Sequence, residues 1–385
     1  LEKSNIRSDE IRCVGTSALG TDCLPVDKDC NPLRPAILYG IDSRAEEEIK
    51  WLTQYYGDDV KKMFGHPICT GDTAAKILWL KKHEPEVYEK TYKFLTGSSY
   101  LTAKLTGKYV IDQFLAKGSF RPLYKRDGTI NKENCSLYCR PDQIAECAYS
   151  FEIAGTVTEE AAKESGLKKG TPVIVGTGDS TAEAISVGLV ESGTVFFQYG
   201  SSMFYYYCVD RYVDDYVSAN GNGSLKGGKE FTIPGIFCIG DGTNAAGTLT
   251  RWVRDTFYEE ELKKERAGGE NAYAVMAREA AEVEAGSEGL IILPYIYGER
   301  SPIQDAKASG MLFGLKGTHT RKQINRAALE AVGYSTLQHM ILFDEMNLPP
   351  KSVITAGGGT KNAAWMQIIC DMIGRQICIP KRYQC

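Results

Sequence analysis

The chain has 385 residues, 43% hydrophobic and 24% charged, with a net charge of −4, the balance of a soluble globular protein too long for one ordinary core. No basic block is present, which argues against a nucleic-acid partner. No apolar run nears the ~18 residues that span a bilayer, and the first residues lack the apolar stretch of a signal peptide.

In chain order, residues 11–18 predict a strand. Helices are predicted over 45–56, where Ile49, Leu52 and Tyr56 share a face, over 72–82, and over 98–106 with Gly107 as the stop. Glu159–Ser165 predicts a helix ended by Gly166. Residues 172–176 predict a short buried strand that runs into Gly176-Thr177-Gly178-Asp179-Ser180, followed by a small-residue helix over 181–189. A hairpin follows: Thr194–Tyr199, a turn at Gly200-Ser201-Ser202, and Met203–Val209. Residues 212–230 are polar and glycine-rich and predict a loop or mobile insertion. Helices over 244–256 and 270–285 and a strand over 290–294 come next. A long helix over Arg321–Glu345 opens with Thr320-x-x-Gln323, a capping box. A strand at Ser352–Ala356, a turn at residues 357–359 and a helix at Ala363–Ile373 close the series. Strands mixed with helices predict an α/β or α+β chain with a domain boundary near residue 190. The chain begins on a polar tail without Met and stops where another strand is due, which predicts a piece of a longer protein.

The twelve cysteines are scattered without a Cys-x-x-Cys pair, and His66, His83, His319 and His339 lie far apart in sequence, so no zinc spacing is read. Small apolar thiols in a reducing cytoplasm are expected instead.

Three glycine-rich turns sit at strand ends, where backbone N–H groups can hold phosphate. In the first, Asp179 could accept a proton from a substrate hydroxyl or bind Mg²⁺; an Asp capping the next helix is the simpler local reading. The second, Gly200, Ser201 and Ser202, offers hydroxyls and amides to phosphates, or is a plain hairpin turn. The third, residues 356–362 (AGGGTKN), permits close approach of a flat ligand, or is a loose loop. There is no Gly-x4-Gly-Lys-Ser/Thr, no strand-to-helix Gly-x-Gly-x-x-Gly, no Gly-x-Ser-x-Gly and no His-Glu-x-x-His.

These turns, in this order, resemble the FGGY carbohydrate kinases of the actin-like ATPase superfamily. The resemblance is carried by residues 31–44 (NPLRPAILYGIDSR), Lys76 to Leu80 before Glu84-Pro85, residues 100–107 (YLTAKLTG), and the run into Gly178-Asp179. In the second half it is carried by residues 244–255 (NAAGTLTRWVRD), residues 293–302 (LPYIYGERSP), Gly310 to Leu315, and Thr355 to Asp371. The resemblance implies two ribonuclease-H-like domains with a central cleft: a sugar-binding domain over 1–190 and a nucleotide-binding domain over 191–385. It implies ATP and Mg²⁺, with Asp179 as general base and metal contact. Thr21 and Asp22 would join Asp179 at the sugar. Gly200, Ser201, Ser202, Gly247, Arg251, Gly357, Gly358 and Asn362 would lie at the nucleotide.

The substrate it implies is a sugar or polyol, a pentulose such as xylulose foremost. Gly20-Thr21 stands where xylulose kinases place a Met-His pair. No nucleic-acid or membrane partner is expected, and a homodimer is compatible. The family's first hairpin, with its Asp-x-Gly-Thr, would lie upstream of Leu1, and its last helix beyond Cys385. The rival readings are a non-catalytic actin-like sensor of nucleotide or sugar, which would not need Asp179, and an acetate-kinase-like acid kinase, which the match at Gly298-Glu-Arg-Ser-Pro302 opposes.

Overall fold

The computed structural model describes residues 5–381. The chain divides into two compact units: residues 1–183 with 230–234, and residues 184–229 with 235–385. The division falls inside the helix Asp179–Ser186, which starts two residues earlier and ends three residues sooner than the 181–189 helix expected from small-residue content. Gly188, at positive φ, ends it.

In the first unit the strands are short and paired two by two. Ser17–Ala18 runs parallel to Thr177–Gly178, with Ser17 opposite Thr177. Pro172–Ile174 pairs antiparallel with Ile153–Thr156. The strand expected over 11–18 is confined to Ser17–Ala18 plus a single bridge between Val14 and Val173, because only there does the facing chain from Pro172 to Gly178 supply partners. Thr73–His83 buries Ala74, Ala75, Ile77, Leu78 and Leu80. Gly97–Thr106 ends on a left-handed Gly107. Glu159–Ser165 is capped by Thr158, whose hydroxyl accepts the Ala161 N–H, and stopped by Gly166.

The second unit is built on one twisted sheet. Its six strands run Lys229–Glu230, Phe237–Thr243, Met203–Val209, Thr194–Tyr199, Ser352–Ala356, Ile377–Cys378. The hairpin Thr194–Tyr199/Met203–Val209 pairs Tyr199 with Met203, so its turn is residues 200–202. Ser352–Ala356 lies parallel to it, Ser352 opposite Thr194. Period-two alternation puts Val195, Phe197 and Tyr199 with Met203, Tyr205 and Tyr207 in one core with the long helix Arg321–Glu345 and with Ala363–Ile373. Two of these buried phenols find partners: the Tyr199 hydroxyl meets the Thr336 hydroxyl at 3.0 Å and the Tyr207 hydroxyl donates to the Leu348 carbonyl at 2.8 Å. The capping box on the long helix is present.

Residues 212–230 are mostly irregular, as expected of a loop, but carry one two-residue pair, Tyr216–Val217 with Ser224–Leu225, and the segment is tied down by Glu345. That carboxylate accepts from Asn220 at 2.8 Å, from Asn222 at 2.7 Å and from the Tyr216 hydroxyl at 3.2 Å. A helix at Glu259–Arg266 was not expected, because it buries none of its residues and so carries no apolar stripe. None of the eleven described cysteines is in a disulfide, and among the described residues no helix is long and apolar enough to cross a membrane.

Candidate active site

In the first unit, the strand Thr177–Gly178 delivers Asp179 as the first residue of the next helix. Gly176 has φ +75°, and a Cβ there would lie 2.2 Å from the Thr16 carbonyl oxygen, so only glycine lets the two strands approach. Gly20 and Gly178 repeat the device: a Cβ on Gly20 would sit 3.3 Å from the Gly178 Cα. This bare contact brings the Gly20-Thr21-Asp22 segment alongside Asp179. The Asp179 carboxylate accepts the Ser180 N–H at 2.8 Å and the residue is exposed.

Asp22 is buried, and its carboxylate accepts the Gly97 N–H at 3.0 Å. Burial pushes its carboxyl above the usual range; the Gly97 amide and the Lys76 ammonium pull it down, and the charge of Asp179 raises it further. Thr21, also buried, donates its hydroxyl to the Gly71 carbonyl at 3.3 Å. Lys76, 1% exposed, donates to the Leu38 carbonyl at 2.6 Å, and burial lowers its ammonium from the ordinary lysine value. A carboxylate pair beside hydroxyl and ammonium donors can bind hydroxyls and take a proton from one of them.

In the second unit the hairpin turn and two helix starts surround a cavity of about 570 Å³, within the range of small-ligand sites. The Gly200 N–H closes the turn on the Ser202 carbonyl at 3.0 Å. The helix Gly247–Phe257 docks its first residues on the turn: the Gly247 N–H donates to the Gly200 carbonyl at 2.9 Å, and the Ala246 and Thr248 amides donate to the Ser201 carbonyl at 3.0 and 2.9 Å. A Cβ on Gly247 would lie 2.5 Å from the Gly200 oxygen, so glycine is required by close approach. Arg251, one turn along, is exposed on the cavity wall.

The third turn also borders the cavity and packs on Tyr199. Gly357 has φ +94°, and a Cβ would lie 2.7 Å from the Tyr199 carbonyl oxygen, whereas a Cβ on Gly358 would meet nothing within 4 Å. Asn362 caps Ala363–Ile373 by accepting the Trp365 N–H at 3.0 Å. Trp365 is buried and donates its indole N–H to the Leu329 carbonyl at 3.1 Å.

Gly200, Ser201, Gly247, Arg251, Gly358 and Asn362 therefore line one cavity. Ser202 and Gly357, expected with them, are not in its lining: Ser202 is spent on closing the turn and Gly357 is packed on Tyr199. Thr21, Asp22 and Asp179 belong to the other unit. Lys361, within the third turn, also lines the cavity, and sequence reasoning missed Asn271 and Tyr273, which line it too. Asn271 carries one legible signal, a helix cap that accepts the Ala274 N–H.

Comparisons with known proteins agree in kind. The model of the FGGY family of carbohydrate kinases, N-terminal domain, matches residues 1–186, and that of its C-terminal domain matches residues 200–385. The xylulose kinase of Bacillus subtilis (strain 168) is 27% identical over 377 residues, which is 97% of this chain and 72% of that protein. The gluconokinase of the same organism is 26% identical over 374 residues, 94% of this chain and 69% of that protein. The crystal structure of xylulose kinase from Rhodospirillum rubrum superposes with a TM-score of 0.81 at 27% identity, covering 96% of this chain and 72% of that one. The two units thus have the ribonuclease-H-like architecture of the actin-like ATPases. With both halves matched by its models, the chain belongs to the FGGY family of carbohydrate kinases and is a phosphotransferase.

Proposed function

We propose that this protein transfers the γ-phosphoryl group of ATP to a hydroxyl of a neutral ketose, a pentulose such as xylulose, with Asp179 as general base. The observation that carries the reading is the convergence of three sequence-distant turns on one cavity, at Gly200-Ser201, Gly247 and Gly358. Apolar Tyr199, Met276, Leu329 and Trp365 suit an adenine ring, and the exposed cations Arg251 and Lys361 suit phosphates. The open space over Gly358 fits a flat base laid against backbone.

In the first unit, Asp179 would take the hydroxyl proton as its oxygen attacks phosphorus, while Thr21 and Asp22 hold other hydroxyls. Mg²⁺, when bound, would neutralise phosphate charge, with the Asp179 carboxylate as its protein oxygen donor. Substrate charge favours a ketose over a sugar acid such as gluconate. The charge of Asp179 raises the Asp22 carboxyl, and the nearby Lys76 ammonium donates to the Leu38 carbonyl. A substrate carboxylate would meet like charge.

The test is ADP release, coupled to a reporter, with pentuloses, hexuloses, polyols and gluconate as acceptors. The highest kcat/KM is expected for a ketopentose, and Asp179→Asn should lower kcat by roughly 10²–10⁴-fold while leaving nucleotide binding intact. Near-normal turnover in that variant would remove Asp179 from the chemistry and leave it as the opening residue of its helix. Preference for gluconate would overturn the charge argument.

A further inference from the structure

His66, Cys69 and Asp72 stand three residues apart in the segment that leads into the helix Thr73–His83. They lie outside both groups of residues described above. One ligand atom of each lies within 4.8 Å of the other two, although sequence spacing gave no zinc pattern.

Asp72 occupies the N-cap position of that helix, yet its side chain makes no capping bond. One carboxylate oxygen turns back to accept the Cys69 N–H at 2.8 Å. The other faces His66 Nε2 at 3.4 Å, with the Asp72 side chain 1% exposed. His66 Nδ1 lies 2.8 Å from the Pro67 carbonyl oxygen. A carbonyl can only accept, so Nδ1 carries the ring hydrogen. In the neutral ring, the Nε2 lone pair then points at a carboxylate oxygen. Two acceptors at that distance need a proton or a cation between them. A histidine that donates Nδ1–H to a backbone carbonyl leaves Nε2 as the nitrogen that can take a metal, the arrangement of a ligand held by its outer shell.

We propose that His66 Nε2, Cys69 Sγ and the Asp72 carboxylate bind one zinc-class divalent cation, with water in the fourth position. One nitrogen, one sulfur and one oxygen donor suit Zn²⁺; Mg²⁺ takes oxygen donors. Binding replaces the thiol proton: the Cys69 S–H bond breaks, its proton leaves to solvent, and the sulfur pair forms the bond to metal. Small rotations of the half-exposed His66 and exposed Cys69 bring the three atoms to bonding distance around the buried carboxylate. The site is distinct from any phosphate-bound Mg²⁺ and does not depend on the kinase reading. It bears on the sugar side of the first unit, because Gly71 inside the same segment accepts the Thr21 hydroxyl. The cation would brace the segment that positions Thr21.

The experiment titrates the chelator-stripped protein under reducing conditions with Zn²⁺ by calorimetry and with Co²⁺ by absorption. One equivalent is expected, with a thiolate-to-Co²⁺ band that disappears in Cys69→Ser. His66→Ala and Asp72→Asn should weaken Zn²⁺ binding by about 100-fold or more, beyond the losses typical of outer-shell changes. Cys69 and His66 are accessible to solvent, so those two variants should keep the parent's circular dichroism and serve if Asp72→Asn does not fold. Absence of a stoichiometric site would overturn the proposal. So would a Zn²⁺ equivalent that survives in the His66→Ala/Cys69→Ser double variant. In either case a proton, not a metal, joins His66 to Asp72.

Discussion

At the residue scale, three adjacent glycines in the third turn do different work. Gly357 is fixed by its positive φ and by the Tyr199 backbone, and a Cβ on Gly359 would press on the Tyr199 Cβ at 2.8 Å and on Trp365 at 2.9 Å. Gly358 is under no such constraint. Its bare face opens on the cavity. Gly358→Val should therefore fold normally and obstruct only what binds there. Overpacking a filled site costs ~1–3 kcal/mol, so KM for ATP should rise by roughly tenfold or more, with KM for the sugar unchanged. Steady-state kinetics with each substrate varied in turn checks this; equal damage to both constants would mean that the turn serves structure alone. That the sequence marked this turn is owed to its three consecutive glycines. It did not reveal which of them faces ligand, because that depends on what lies opposite each Cα.

At the element scale, the long helix Arg321–Glu345 carries a buried titrating group. His339 is fully buried; its Nδ1 donates to the Ser335 carbonyl at 2.7 Å and its Nε2 lies 3.0 Å from the Ser301 hydroxyl. Burial lowers it from 6.5 to about 4, against small opposing effects of the Ser335 carbonyl and Asp241. The unfolded chain therefore takes up a proton below pH 6.5 that the folded chain refuses until about pH 4. Its contribution is fully present above 6.5 and is lost as pH falls through that window. At about 1.4 kcal/mol per pH unit this amounts to roughly 3 kcal/mol. Urea unfolding at pH 7 and pH 4.5 should show the loss, and His339→Gln should flatten it. The same slope in the variant would assign the acid sensitivity to carboxylates.

At the scale of the whole molecule, the candidate residues divide between the two units, and ligands can report on that division. A nucleotide analogue should slow amide exchange around residues 200–202, 247–251 and 358–362. The sugar should slow it around residues 20–22, 97 and 179. Each ligand at 100 times its Kd should add about 2.7 kcal/mol of stability to the state it binds. Exchange mass spectrometry with each ligand alone checks this. Protection by sugar confined to the second unit would reverse the assignment of roles.

The sequence alone determined the elements whose cause is local. Alternation marks Thr194–Tyr199 and Met203–Val209, the Thr320/Gln323 box starts the long helix, and Thr158 with Gly166 brackets Glu159–Ser165. Each depends on neighbours within about one or two turns, so the pattern is written in adjacent residues. The helix Glu259–Arg266 lacked such a pattern, and residues 212–230 took their order from Glu345, more than a hundred positions away. Only tertiary packing decided that Asn271 and Tyr273 complete the cavity begun by the glycine turns. It also decided that Gly20 and Gly178 touch and so bring Asp22 toward Asp179, and that the Asp72 carboxylate turns from its helix toward His66. In each case the deciding energy is a contact between distant segments, which no short window of sequence contains.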